Sequence, residues 1–177
     1  MRTTGVRFPK NPGVPPPAAW FNLRVDLTKA FAAEEYAGAL ESWDWLDLSA
    51  ATPVMATLFG DVILQVAEGF AFLDTVEGVL TTPWGDRDAV EASLLSQDGQ
   101  DRYLMGELAL AAAEQGIVPG PAQVLSFVHP PVLGGALTVD NLEVQDFVVA
   151  TNISGQIHQQ LLDLPPGTPI AGVAVEG

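Results

Sequence analysis

The sequence predicts an α+β fold, a single domain in which an antiparallel β-meander packs with helices. Three observations carry that prediction. Short β-like runs follow one another between residues 54 and 82, each closed by a glycine-bearing connection. Helical apolar spacing lies on both sides of that block. The resulting order of helix, meander, helices, strand and helix lacks the strand–helix alternation of a parallel sheet. A length of 177 residues with 48% apolar content suits one core of substantial size.

Residues 1–25 read as a Pro-rich basic tail. Pro9, Pro12, Pro15, Pro16 and Pro17, with Gly5 and Gly13 between them, remove backbone donors and hold the chain near polyproline II. The domain is expected over 26–170, followed by a short tail at 171–177. From Leu27 to Trp43, apolar residues at Leu27, Phe31, Tyr36, Ala39, Leu40 and Trp43 follow helical spacing, with Asp26 or Thr28 placed to cap the start. The meander is expected at Val54–Phe59, Val62–Val66, Phe70–Asp74 and Val79–Thr82. Gly60-Asp61, Glu68-Gly69 and Glu77-Gly78 supply its turns.

Helical patterning returns at Ala89–Ser96, capped by Asp86 or Asp88, with Val90, Leu94 and Leu95 facing inward. A longer helix is expected over Asp101–Gln115, with Leu104, Leu108 and Ala111 on its stripe and Gly116 as its stop. Asp98-Gly99-Gln100-Asp101 reads as the turn joining the two. Val124–Val128 and Leu142–Ala150 read as strands, with Gly134-Gly135 as a sharp turn between them. Ile153, Ile157, Leu161 and Leu164 repeat at helical spacing, and Pro165-Pro166-Gly167 ends that helix.

Charge narrows the function classes. The net charge is −15, unevenly spread. Residues 1–29 hold five basic residues against Asp26, and residues 30–177 hold 21 acids against Arg87 and Arg102. Such a field repels phosphate backbones and anionic membranes and draws basic proteins. Excess acid also keeps a chain soluble, so a coherent anionic face and a purely solubilising charge are both open readings. With no cysteine, disulfides, thiolate metal sites and cysteine nucleophiles are excluded. Met1 to Phe8 lacks the apolar run of a signal peptide and no stretch approaches a membrane span, so a cytoplasmic location is expected.

Motifs for catalysis are missing. His129 and His158 are the only histidines, and neither has a second histidine at ligand spacing. No calcium loop, phosphate loop, dinucleotide fingerprint or nucleophile elbow is present. The expectation is a protein with no cofactor and no metal. Converging carboxylates of the glycosidase kind are invisible in sequence and stay as a third reading. The polar run Gln156-Ile157-His158-Gln159-Gln160 on an otherwise apolar helix stands out. The plainer assignment is that His158 and Gln156 hydrogen-bond backbone groups at the helix edge. Trp43 and Trp45 suit either a binding hot spot or partly buried anchors.

Several segments occur in a recognisable order. They are Trp43-Asp44-Trp45-Leu46, Pro53-Val54-Met55, Phe59-Gly60-Asp61-Val62 and Phe72-Leu73-Asp74-Thr75, then Pro130-Pro131-Val132-Leu133-Gly134-Gly135 and Asp140-Asn141-Leu142-Glu143-Val144. Gly155-Gln156-Ile157-His158-Gln159-Gln160 and Asp163-Leu164-Pro165-Pro166-Gly167-Thr168 complete the set. Over about residues 30–170 this resembles the type VI secretion immunity protein Tdi family with its preceding GAD-like region. The carboxy-terminal third is the specific part. The sequence departs from the family in a shorter amino-terminal region and in having no Lys or Arg after Arg102.

The resemblance implies a cytoplasmic, non-enzymatic protein that binds and neutralises a DNase effector delivered by type VI secretion. Its partner would be a basic toxin, with no direct contact to nucleic acid or membrane. Candidate partner-binding positions are Asp140, Glu143, Gln156 and His158. A non-catalytic adaptor or regulatory module is the alternative.

Overall fold

The computed structural model describes residues 26–162, 164 and 172–175. The tail expected at 1–25, the Pro165-Pro166-Gly167 stop and the remainder of 171–177 lie outside the described residues.

Five strands form one antiparallel sheet in chain order: β1 (Thr28–Lys29), β2 (Thr52–Thr57), β3 (Val62–Val66), β4 (Gly69–Asp74) and β5 (Val79–Trp84). Gly60, Gly69 and Gly78 adopt φ of 90°, 106° and 68°, a region that costs residues with a Cβ. The expected turns are therefore in place. Strands β3 and β4 read as continuous apolar runs because helices cover both faces of the sheet. Met55, Ile63, Phe70 and Phe72 face one layer, and Ala56, Val62, Leu64, Ala71 and Leu73 face the other. Pro83 falls in β5, the sheet edge, where its missing N–H is harmless.

The first face is covered by α2 (Arg87–Leu95), α3 (Gln97–Leu104) and α4 (Gly106–Glu114), through Val90, Leu94, Leu104, Ala109 and Ala112. The second is covered by α1 (Ala33–Leu40), a 3-10 helix at Glu41–Leu46 and α5 (Phe147–Leu161), through Tyr36, Ala39, Trp43 and Phe147. A separate antiparallel pair, β6 (Gln123–Phe127) and β7 (Leu142–Asp146), joins the body where the Leu125 N–H donates to Leu58 O at 2.8 Å. The fold class is α+β, as the sequence predicts.

Four element assignments differ from the sequence reading. Leu27–Lys29 is not helical: Leu27 is core, and Thr28 and Lys29 pair with Thr57 and Ala56. Neither Asp26 nor Thr28 caps α1. The chain enters the helix at Ala32, whose N–H donates to Glu35 Oε2 at 2.7 Å. The single helix expected over Asp101–Gln115 is two, because Met105 sits at φ 45°, ψ 47° and breaks the ladder. Ala109 and Ala112 are fully buried in the second of these helices, with Leu108 partly buried against the same core and Ala111 partly exposed.

Asp98-Gly99-Gln100-Asp101 lies inside α3 and not in a turn; Ser96 caps that helix through Gly99 N–H at 3.0 Å. Leu95, expected inward, is 37% exposed. The strand expected over Leu142–Ala150 stops at Asp146. Its carboxylate accepts from Val148 N and Val149 N at 2.9 and 3.3 Å and starts α5.

Candidate functional site

Four of the segments that carry the family resemblance meet inside the molecule, through Trp43, Gly60 and Asp61, Thr75, and Gly155 and His158. Gly60 turns the chain after β2, so that Asp61 points inward immediately before the core run Val62–Leu64, with 2% exposure. A buried carboxylate must be fully hydrogen-bonded or carry a large penalty. Asp61 Oδ2 accepts from Thr57 Oγ1 at 2.8 Å, and Oδ1 accepts from both the N–H and the hydroxyl of Thr75 at 2.8 Å each. Thr57 Oγ1 in turn accepts from Phe59 N and Asp61 N. One side chain thus ties the β2–β3 turn to the turn between β4 and β5.

The same turn is held from the opposite side by α5. Thr75 O accepts from Ser154 Oγ at 2.5 Å and lies 3.1 Å from His158 Nε2, so the neutral imidazole carries its proton on Nε2. His158 is 7% exposed. Gly78, at its turn, lies so close to the imidazole that a Cβ there would overlap the ring. The Trp43 ring lies 5.7 Å from the imidazole, and its Nε1 donates to Thr151 O at 2.9 Å. Thr151 Oγ1 donates to Gly60 O, which closes the circuit. Gly155 lets α5 approach the 3-10 helix; a Cβ there would stand 2.8 Å from Ser42 O and from Trp43 Nε1.

Burial governs the protonation of both titratable members. Desolvation, followed by the neighbouring Asp74 carboxylate, raises Asp61 from the ordinary 3.8 to about 6, against the hydrogen bonds from Thr75 and Thr57. Desolvation lowers His158 below the ordinary 6.5, against the Thr75 and Val76 carbonyls and the Asp74 and Glu77 carboxylates. Asp61 and His158 are both largely buried, and their hydrogen bonds fix two turns and a helix relative to one another.

The four positions singled out from sequence separate in space. His158 belongs to this buried network, in keeping with the plainer assignment to a backbone partner. Gln156 is half-buried, its Nε2 donating to Asn152 Oδ1 at 2.8 Å, and lines a groove of about 800 Å³ between the 3-10 helix and α5. Glu143 is exposed on β7, at the mouth of a cavity of about 320 Å³ that His158 also borders. Asp140 is exposed on the 3-10 turn at Val139–Asn141 and borders neither.

Its neighbour Asn141 has the clearer role. The Asn141 side chain accepts from His129 N and donates to His129 O and Ala136 O at 2.8–2.9 Å, locking the Pro130–Gly135 loop. The sequence reading passed over Asp61, Thr57 and Thr75; Asp61 has one legible signal, a carboxylate leading straight into a three-residue apolar run, and the two threonines have none.

Exposed carboxylates occur on every helical layer: Glu34, Glu41 and Asp44 on one side, Asp86, Asp98, Asp101 and Glu107 on the other, with Glu68 and Glu77 at turns. They do not gather on one element, so the acidic field belongs to the whole body and not to a single anionic patch. Lys29 directs its amine to Pro119 O and Gly120 O. Arg87 and Arg102 are the exposed cations among the described residues. Among those residues, no group of three or more His, Asp or Glu is arranged to hold a metal ion, and no helix is long and apolar enough to cross a membrane.

No family model matches the sequence, and no curated protein matches it. A solved structure, the crystal structure of Atu4351 from Agrobacterium tumefaciens, is similar over 73% of this chain at 16% identity and a TM-score of 0.45. The match spans 66% of that chain, just under two thirds of its length.

Proposed function

We propose that the chain is an immunity protein that binds and neutralises a DNase effector delivered by type VI secretion, acting in the cytoplasm by stoichiometric binding and not by catalysis. The observation that carries this reading is the division of labour between inside and outside. The residues on which the resemblance to the Tdi-type family rests (Trp43, Gly60, Asp61, Thr75, Gly155 and His158) are committed to the buried network, as in a scaffold. Among the described residues, exposed carboxylates stand on both helical layers and at turns, and the exposed cations are Arg87 and Arg102.

A nuclease must present cations to DNA, so an acidic body attracts it over distances beyond contact. Tight binding then needs apolar anchors. The connection from β6 to β7 supplies them: Val128 is 62% exposed, Val132 37% and Leu137 56%, beside Asp140 and Glu143. The spread of carboxylates favours steering toward the effector over mimicry of a nucleic-acid strand.

The test is co-expression with a basic DNase effector, taking as the first candidate any such gene found adjacent to this one. Protection of the host at matched expression, together with a one-to-one complex whose association slows as salt rises, supports the reading. Undiminished toxicity at full expression of this chain overturns it for that pair. Recovery of housekeeping proteins in its place favours the adaptor alternative.

A further inference from the structure

We propose that the groove between α5 and the β6–β7 pair is a docking surface for an extended peptide segment of a partner, and that Gly172–Val175 of this chain occupies it as a displaceable stand-in. The groove encloses about 320 Å³, with Phe59, Phe127, Ile153 and Ile157 among its apolar walls. Val173 and Val175 both line it. Between them, Ala174 N donates to Gln160 Oε1 at 3.1 Å, and Gln160 Nε2 donates to Ala174 O.

One side-chain amide that donates to and accepts from a single residue reproduces the pair of bonds that a neighbouring antiparallel strand would make. It reads backbone and ignores side chains, so it would accept any extended segment. Successive side chains of an extended chain point to opposite sides, which sends residues 173 and 175 together toward the groove. A second helical bond, from Gln160 Nε2 to Gln156 O at 3.1 Å, holds the reading amide in position.

The present occupant covers the surface incompletely. Val175 remains 46% exposed, and Val128 and Val132 on the rim remain 62% and 37% exposed. Among the described residues, two hydrogen bonds and two valines hold the segment, whereas a longer strand would cover the open rim as well. The occupant that fits is an extended strand with aliphatic β-branched residues at alternate positions. A Lys or Arg flanking it would meet Glu143 at the mouth. This inference stands apart from the identity of the partner proposed above.

The experiment uses a fluorescent peptide spanning residues 168–177, titrated against the full chain and followed by anisotropy. In the wild type, the chain's own segment competes at an effective concentration on the order of millimolar. Val173→Asp together with Val175→Asp should expel that segment, and the peptide should then bind at least about tenfold more tightly than to wild type. Adding Gln160→Ala, at an exposed position in the last turn of α5, should cancel the gain. A peptide carrying aspartate at both valine positions should not bind. Far-ultraviolet circular dichroism and the unfolding midpoint confirm that each variant is folded. Equal binding to wild type and to the double variant overturns the proposal, as does binding indifferent to Gln160 or to the two valines.

Discussion

Ionising Asp61 places a charge among Thr57, Thr75 and core side chains, and the unfolded chain has no such penalty. Between pH 3.8 and about 6 the folded state therefore keeps a proton that the unfolded state has released. Stability from this group is fully present below 3.8 and is lost as pH rises through about 6, by roughly 3 kcal/mol. His158 acts in the opposite direction. Its folded-state value lies below the ordinary 6.5, so its contribution is present above that pH and is lost on acidification.

Single variants separate the two. The stability deficit of Asp61→Asn relative to wild type, read from urea unfolding, should be larger at pH 4.5 than at pH 7. The deficit of His158→Gln should shrink as pH falls below 6.5. A deficit for Asp61→Asn that is the same at both pH values would mean that Asp61 titrates as an ordinary exposed carboxylate.

At the scale of elements, the packing of α5 is the sensitive joint. Ile157 is 4% exposed between the sheet and the β6–β7 pair, and truncation to alanine should destabilise by about 2–5 kcal/mol, read from the denaturation midpoint. Gly155→Ala should destabilise by about 1–3 kcal/mol, because the added methyl meets the Ser42 carbonyl and the Trp43 indole at 2.8 Å. Altered tryptophan fluorescence in the folded variant would report the displaced Trp43. Unchanged stability and emission would mean that the 3-10 helix gives way without loss.

The same elements show what was legible in the sequence. Strands β2 to β5 were readable because apolar runs alternate with glycines that need positive φ, a local signal at each turn. The break at Met105 was not, since nothing about methionine announces a left-handed residue and tertiary packing imposes it. The overlong β7 has a related cause: Phe147-Val148-Val149 is a good strand sequence, and only the cap made by Asp146 turns it into a helix. In the site, His158 was anticipated as a backbone partner, but its contact, Thr75, is 83 residues distant. Such pairings arise from topology and leave no mark on local spacing.

On the scale of the whole molecule, the question is whether charge acts through place or through sum. Carboxylates stand on both helical layers, and the net charge is −15. If attraction of a basic partner depends on the summed field, position should hardly matter. Two triple variants decide this. One carries Glu34→Lys, Glu41→Lys and Asp44→Lys on the α1 side; the other carries Asp98→Lys, Asp101→Lys and Glu107→Lys on the α3–α4 side.

Each triple takes the net charge from −15 to −9, since every swap adds two. Surface changes of this kind should alter stability by about 0.5 kcal/mol or less apiece. At low salt, both triples should slow association with a basic effector by a similar factor, roughly three- to tenfold, with dissociation nearly unchanged. At about 0.5 M salt the difference from wild type should vanish, because the Debye length is then only about 4 Å. A loss confined to one triple would restore a localised anionic docking face on that side and would displace the steering account.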